Sequence, residues 1–339
     1  MTQRQLSPDD IIDFSTNNNP YGPPPMVLAA LQEALQNNAI GPYPDRDCLA
    51  LKAAIAAVED VSPEYLLPGN GTAALIQMIA LAFVRPQSTH LIVGPTFGEY
   101  ERAIQVMEGK VIEYRPHTTD LRCTVDGVAS AIQHHNPASI WLCNPNNPTG
   151  QQWTTTQLQY LQDTAPNALW VIDEAYTHFP TMLHNGWLHR PNQIILRSFT
   201  KDFTLAGLRL GYILALPHLI DSLQKVSVPW SVNALSQIAG VATLQAEGLA
   251  WRRHTLQDLR HQAKALWRSL QQLGLAVLPT ETTYALVDVE DAPTFRAKLL
   301  AEKLLVRDCT SFGLPNYVRI AAQHPTENQQ LVEAIQAHV

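Results

Sequence analysis

"ALWVIDEAY", residues 168–176, runs five apolar residues straight into two carboxylates and a phenol. A short stretch that is apolar at every position, rather than at alternate ones, suits a strand covered on both faces. Its neighbours repeat the texture: "THLIVG" (89–94), "ASIWLC" (138–143), "QIILRS" (193–198) and "RLGYILAL" (209–216). Helix-like segments such as "TAALIQMIALAF" (72–83) and "TTQLQYLQDTA" (155–165) lie between them. Strands alternating with covering helices predict an α/β domain around a mostly parallel central sheet.

After Pro229 a long helical region (about 231–273) leads into "AVLPTETTYALVDV", a helix, "LLVRDC", "YVRIAA" and a final helix. That α+β pattern predicts a second, smaller domain. Residues 30–228 are therefore expected to form the large domain, and 1–29 with 229–339 the small one, with the N-terminal segment covering the substrate.

The chain has 339 residues, of which 46% are hydrophobic and 16% charged, the composition of an ordinary globular protein. A net charge of −7 without a long basic run argues against nucleic acid as a partner. The start, "MTQRQLSPDDIIDF", lacks an apolar core of signal-peptide length, and no apolar run suits a membrane span, so the cytoplasm is expected. Four scattered cysteines without a C-x-x-C pair make a disulfide or zinc framework improbable. The prolines gather in "NPYGPPP" and "NPNNPTG", which marks shaped loops.

Ligands of a doubly wound sheet bind beyond the carboxyl ends of its strands. Three successive strand ends carry polar groups here: "WLC" meets Asn144 to Gly150 with Asn147 inside, "ALWVI" meets Asp173 and Tyr176, and "IILR" meets Ser198, Thr200 and Lys201. A lysine in a partly desolvated pocket is partly neutral and can attack a carbonyl to form a Schiff base. A carboxylate at a buried strand end needs a cation, and the ring nitrogen of pyridoxal phosphate, kept protonated by Asp173, is such a partner. Asn147 and Tyr176 suit the cofactor's ring oxygen.

A phosphate has a place too. "LLPGNGTAALIQ" puts Gly71, Thr72 and Ala73 at a helix start, where free N–H groups point outward. A helix terminus contributes only about 0.3–2 kcal/mol to anion binding, so further donors are needed. Ser198, Thr200 and Arg209 are the candidates, Arg209 by chelating two oxygens. Phe97, in "GPTFGEY", suits either a ring stacked on a flat cofactor or an ordinary core aromatic.

In "NPNNPTG", "DEAY" and "S-x-T-K…GLRLGY", taken in this order, the sequence resembles the class I/II aminotransferases, the fold-type I pyridoxal-phosphate enzymes, over nearly its whole length. The resemblance implies Lys201 as the Schiff-base lysine, Asp173 as the pyridinium partner, Asn147 and Tyr176 as ring-oxygen ligands and Phe97 as the stacking ring. It gives the phosphate to Gly71, Thr72, Ala73, Ser198, Thr200 and Arg209. Tyr43, in "GPYPDRD", resembles a tyrosine that reaches the phosphate from a neighbouring subunit, which implies a homodimer with shared sites.

Within the family, "VPWSVNAL" and "VRDCTSFGLPNYVRIA" look like the threonine-phosphate decarboxylase branch of corrinoid assembly, with histidinol-phosphate aminotransferase as the close alternative. The expected activity is therefore decarboxylation of threonine phosphate, a substrate with two anionic groups. By the family pattern Arg319 takes the carboxylate and Asn17 lies in the covering segment. Arg307 is either the phosphate ligand or a surface arginine beside Asp308.

Overall fold

The computed structural model describes residues 10–116, 118–180 and 190–337; the first nine residues, part of the start that lacks a signal-like core, lie outside them. A 7-stranded sheet runs in the order Leu66–Gly69, Gly211–Ala215, Gln193–Ser198, Leu169–Asp173, Ser139–Cys143, Thr89–Val93 and Lys110–Tyr114. Only Gly211–Ala215 runs against its neighbours on both sides. The remaining pairings across the sheet are parallel, which requires crossovers, among them helix Thr155–Thr164, read from the sequence, and helices Glu99–Val106 and Val125–His135, which were not.

The all-apolar strands are buried on both faces. Ile92, Trp141, Val171 and Leu196 join one core cluster, while Leu91, Val93, Ile140, Leu142, Trp170 and Ile172 join the other. Successive side chains of a strand point to opposite faces, so one segment feeds two cores. Helix Gly71–Phe83 covers the first face through Leu75, Ile76 and Ile79. Helices Val125–His135 and Thr155–Thr164 cover the second through Val128, Ile132, Leu158 and Leu161.

A separate 4-stranded antiparallel sheet holds Arg307–Asp308, Tyr317–Ala321, Tyr284–Asp288 and Ala276–Val277 in that order. The long helix Ala246–Gln272 packs Leu259, Leu266 and Leu270 into the same cluster as Tyr284, Val287 and Ile320 of this sheet. The N-terminal strand Ile12–Asp13 pairs in parallel with Leu304–Leu305, and Phe14 then donates to and accepts from this side of the molecule through Leu305 O and Ala321 N. Helix Ala234–Thr243, which follows Pro229, instead shares a cluster with the large sheet through Ala239, with Gly240 set close against Leu51 and Leu210. No helix among the described residues is long and apolar enough to cross a membrane.

Candidate active site

The carboxyl ends of the central strands open into a cavity of about 540 Å³. Asp173 closes strand Leu169–Asp173, in register with Cys143 on one side and Leu196 on the other. Its carboxylate is 4% exposed, accepting from Tyr100 Oη at 2.8 Å and from the Ala175 N–H at 3.0 Å. Burial outweighs those two hydrogen bonds and pushes its pKa up from 3.8 to about 6. No cationic side chain pairs with Asp173 among the described residues. The adjacent Glu174 points to the other face and pairs with Arg197 at 2.8 Å, as the alternation of a strand requires.

Lys201 follows strand Gln193–Ser198 and reaches into the same cavity, where Nζ donates to Asn18 Oδ1 at 3.3 Å. Burial, and then the guanidinium groups of Arg319 and Arg209, lower its pKa from 10.5 to about 8. A substantial neutral fraction at physiological pH follows, which a nucleophilic amine needs. The third strand end delivers Asn147 through a pinned loop. Asn146 fixes that loop by donating to Pro95 O at 2.9 Å and Thr149 Oγ1 at 2.8 Å, and its own carbonyl accepts from Tyr284 Oη at 2.9 Å.

Asn147 accepts from Arg319, which also donates to the Ser15 carbonyl. Arg319 is 6% exposed on strand Tyr317–Ala321, and its Nε has no partner among the described residues. Asn17 donates to Tyr176 Oη at 3.4 Å and leaves its buried Oδ1 without a partner on the cavity wall. Unsatisfied buried polar atoms of this kind are costly in an apolar setting and mark places where a polar ligand fits.

At the opposite end, Thr72 and Ala73 open helix Gly71–Phe83, and Ser198, Thr200 and Arg209 line the same part of the cavity. Gly71 itself does not line it. It adopts φ +79°, and a Cβ there would sit 2.6 Å from Arg209 Nη2, so glycine is what lets the guanidinium approach the helix start. Phe97 is half-buried on the cavity wall, edge-on to Tyr100 with ring centroids 5.8 Å apart. Arg307 lies at the exposed rim, where Nη2 donates to Ser311 Oγ at 2.8 Å.

One predicted residue is elsewhere. Tyr43 is 82% exposed, away from its own chain's cavity, and packs on Trp230 at 5.2 Å. Two residues that sequence reasoning passed over belong to the site, Tyr100 on Asp173 and Asn18 on Lys201. Tyr100 ends the quoted "GPTFGEY" and Asn18 is the centre of "NNN", but neither stretch reveals its distant partner.

The donor set fits pyridoxal phosphate: a carboxylate short of a cation, a partly neutral lysine, and an anion cradle under a helix N-terminus. The sequence profile of "Aminotransferase class I and II" matches residues 9–335. The chain belongs to this aminotransferase family. Like the family, it is a pyridoxal-phosphate-dependent enzyme on the fold-type I scaffold.

A histidinol-phosphate aminotransferase of Moorella thermoacetica is 36% identical over 98% of this chain and 86% of its own length. One from Carboxydothermus hydrogenoformans is 30% identical over 98% of this chain and 92% of its own. Among solved structures, the threonine-O-3-phosphate decarboxylase of Porphyromonas gingivalis superposes with a TM-score of 0.82 at 30% identity, covering 97% of this chain and 99% of that one.

These relatives correct the expected activity. The curated aminotransferases, 30–36% identical along nearly the whole chain, replace threonine-phosphate decarboxylation as the reading of the sequence. Most residues of the motifs that favoured the decarboxylase make local contacts, Arg307 at the cavity rim excepted. In "VPWSVNAL", Val228 and Trp230 are exposed and Asn233 caps helix Ala234–Thr243. In "RDC", Asp308 accepts from the N–H and hydroxyl of Thr310 and Cys309 is buried.

Proposed function

We propose that this aminotransferase transfers the amino group between histidinol phosphate and the 2-oxo acid of a dicarboxylic amino acid, the glutamate class. The observation that carries the reading is the full-length likeness to the Moorella histidinol-phosphate aminotransferase, joined to a cavity with cations at its substrate end. Transamination brings two substrates to one site in turn, and each presents an anion there, a phosphate from one and a carboxylate from the other. In this reading Arg319 receives that anion and Arg307, from the rim, assists when the larger phosphate is present. Arg319 and Asn17 both line this space, and the buried Arg319 Nε and Asn17 Oδ1 have no partner among the described residues.

Lys201, Asp173, Asn147, Tyr176 and Phe97 are the ring contacts of the cofactor, and Thr72, Ala73, Ser198, Thr200 and Arg209 hold its phosphate, with Gly71 leaving room for Arg209. Bound pyridoxal phosphate supplies an electron-withdrawing ring that stabilises negative charge at the substrate's amine-bearing carbon. Asp173 keeps the ring nitrogen protonated, which needs an ionised carboxylate, and the cation in turn relieves the burial that raises its pKa. Lys201 Nζ, neutral in part near pH 8, takes the proton from the amine-bearing carbon.

Tyr43 fits a contribution to a second copy's phosphate site. Its exposure beside Trp230, next to an apolar recess lined by Ala30, Ile238 and Val241, supports a homodimer. The reading includes a large cofactor-binding unit (30–228), a small unit (1–29 with 229–339, of which helix Ala234–Thr243 packs on the large one) and a cytoplasmic location. The test is turnover of histidinol phosphate with 2-oxoglutarate. Formation of glutamate and imidazole acetol phosphate supports the reading, and a cofactor-loaded enzyme that forms neither refutes it.

A further inference from the structure

Three consecutive asparagines, Asn17, Asn18 and Asn19, run beside the site, and each bonds a different part of it. Asn17 donates to Tyr176 Oη. Asn19 is fully buried and holds the lysine's backbone: its N–H donates to Lys201 O at 2.8 Å and its Nδ2 to Asp202 O at 3.1 Å. The same Nδ2 donates to Thr255 Oγ1 at 2.8 Å, and the Asn19 carbonyl accepts from Thr204 Oγ1. The Lys201 turn is also fixed from below, where the Asp202 carboxylate meets His178 at 3.0 Å and Arg252 at 3.3 Å. With both backbones clamped, the fold sets where Asn18 stands relative to the Lys201 backbone, within reach of Nζ.

We propose that Asn18 is a positioning residue whose side-chain carbonyl is the resting acceptor of the Lys201 amine whenever that amine is not bonded to the cofactor. The proposal rests on the reading of Lys201 as the cofactor lysine. Transamination releases this amine once per half-reaction, and a free lysine side chain has four rotatable bonds to wander through. Asn18 holds it over the cavity at 3.3 Å.

The residue type matters as much as the contact. The charged groups facing Nζ are the guanidinium groups of Arg319 and Arg209 and the carboxylate of Asp13. An amide oxygen gives the amine an acceptor without adding a negative charge, so the amine keeps its depressed basicity. A carboxylate at the same point would anchor it better and leave it protonated.

The experiment uses the full-length protein freed of cofactor, and measures the pH profile of Lys201 acetylation by acetic anhydride, resolved by peptide mass spectrometry. Asn18→Leu removes the acceptor at similar size and is expected to lower the apparent pKa of Lys201 by about one unit, the worth of one hydrogen bond to a charged group. Asn18→Asp is expected to raise it by a comparable amount. Opposite shifts in the two variants establish the proposal, and a Lys201 profile that coincides with the parent in both, or in Asn18→Asp if the leucine variant does not fold, overturns it. Borohydride fixation of pyridoxal phosphate in the parent separates the two levels of inference. Fixation on Lys201 with unmoved profiles defeats the Asn18 role alone, whereas fixation on another lysine defeats the assignment of Lys201 and this role together.

Discussion

Replacing Asp173 by asparagine should make the cofactor-free protein more stable while it disables the enzyme. The carboxylate is fully buried, and its pKa rises from 3.8 to about 6, a shift of about two units. At 1.36 kcal/mol per unit this is about 3 kcal/mol against the folded state wherever the group is ionised in both states. The sign follows from the direction. A raised carboxyl pKa means that the folded state binds the proton more tightly, so the penalty is complete above pH 6, shrinks as pH falls through that value, and is gone below 3.8.

Asparagine is neutral and nearly the same shape, but its NH₂ only donates, so one of the two donors that Asp173 serves, Tyr100 Oη and the Ala175 N–H, loses its acceptor. One lost hydrogen bond costs about 1 kcal/mol. The net expectation is a gain of about 2 kcal/mol at pH 8, which shrinks by about 1 kcal/mol at pH 5, one unit below the folded pKa. Urea denaturation of both cofactor-free proteins at the two pH values measures it. A stability difference that does not change with pH, or a variant less stable at pH 8, would refute the reasoning. Turnover of the loaded variant should fall by at least a hundredfold, as expected when a buried charge partner worth roughly 3–5 kcal/mol is lost.

Lys201→Ala should abolish borohydride-resistant attachment of pyridoxal phosphate, and a persisting covalent adduct would move the nucleophile elsewhere. In the parent, the rate of cofactor uptake should rise with pH through about 8 and level off above it, because only the neutral amine reacts; a flat profile contradicts the lowered pKa. Gly71→Ala forces a side chain into φ +79° and within 2.6 Å of Arg209, so cofactor affinity should weaken by roughly tenfold or more in a fluorescence titration. Arg319→Ala should raise KM for both substrates by roughly tenfold to a hundredfold, the worth of a charged hydrogen bond; a KM unchanged for both would place the anion elsewhere.

The chemistry was legible in the sequence where it sits on strand ends. Asp173, Asn147 and Lys201 each follow a short apolar run, and parallel strands bring such ends to one edge. The parts that escaped depend on contacts between distant segments. Tyr100 reaches Asp173 across 73 residues and Asn18 reaches Lys201 across 183, and no local pattern encodes either meeting. Helix Ala234–Thr243 reads as the beginning of a new texture, but its small residues, Ala239 and Gly240, seat it against Leu51 and Leu210 on the large sheet's side. The substrate was misread because the stretches "VPWSVNAL" and "VRDCTSFGLPNYVRIA" were weighed as marks of the decarboxylase branch, whereas within them Trp230 packs on Tyr43 and Asp308 caps a turn.

The most direct test of the account is a single half-reaction. The loaded enzyme is mixed with histidinol phosphate alone, and the visible spectrum of the cofactor is followed. The account predicts loss of the aldehyde-form absorption with one equivalent of imidazole acetol phosphate per site, and its return when 2-oxoglutarate is added. A spectrum unchanged by saturating histidinol phosphate, in protein that binds pyridoxal phosphate stoichiometrically, would contradict it.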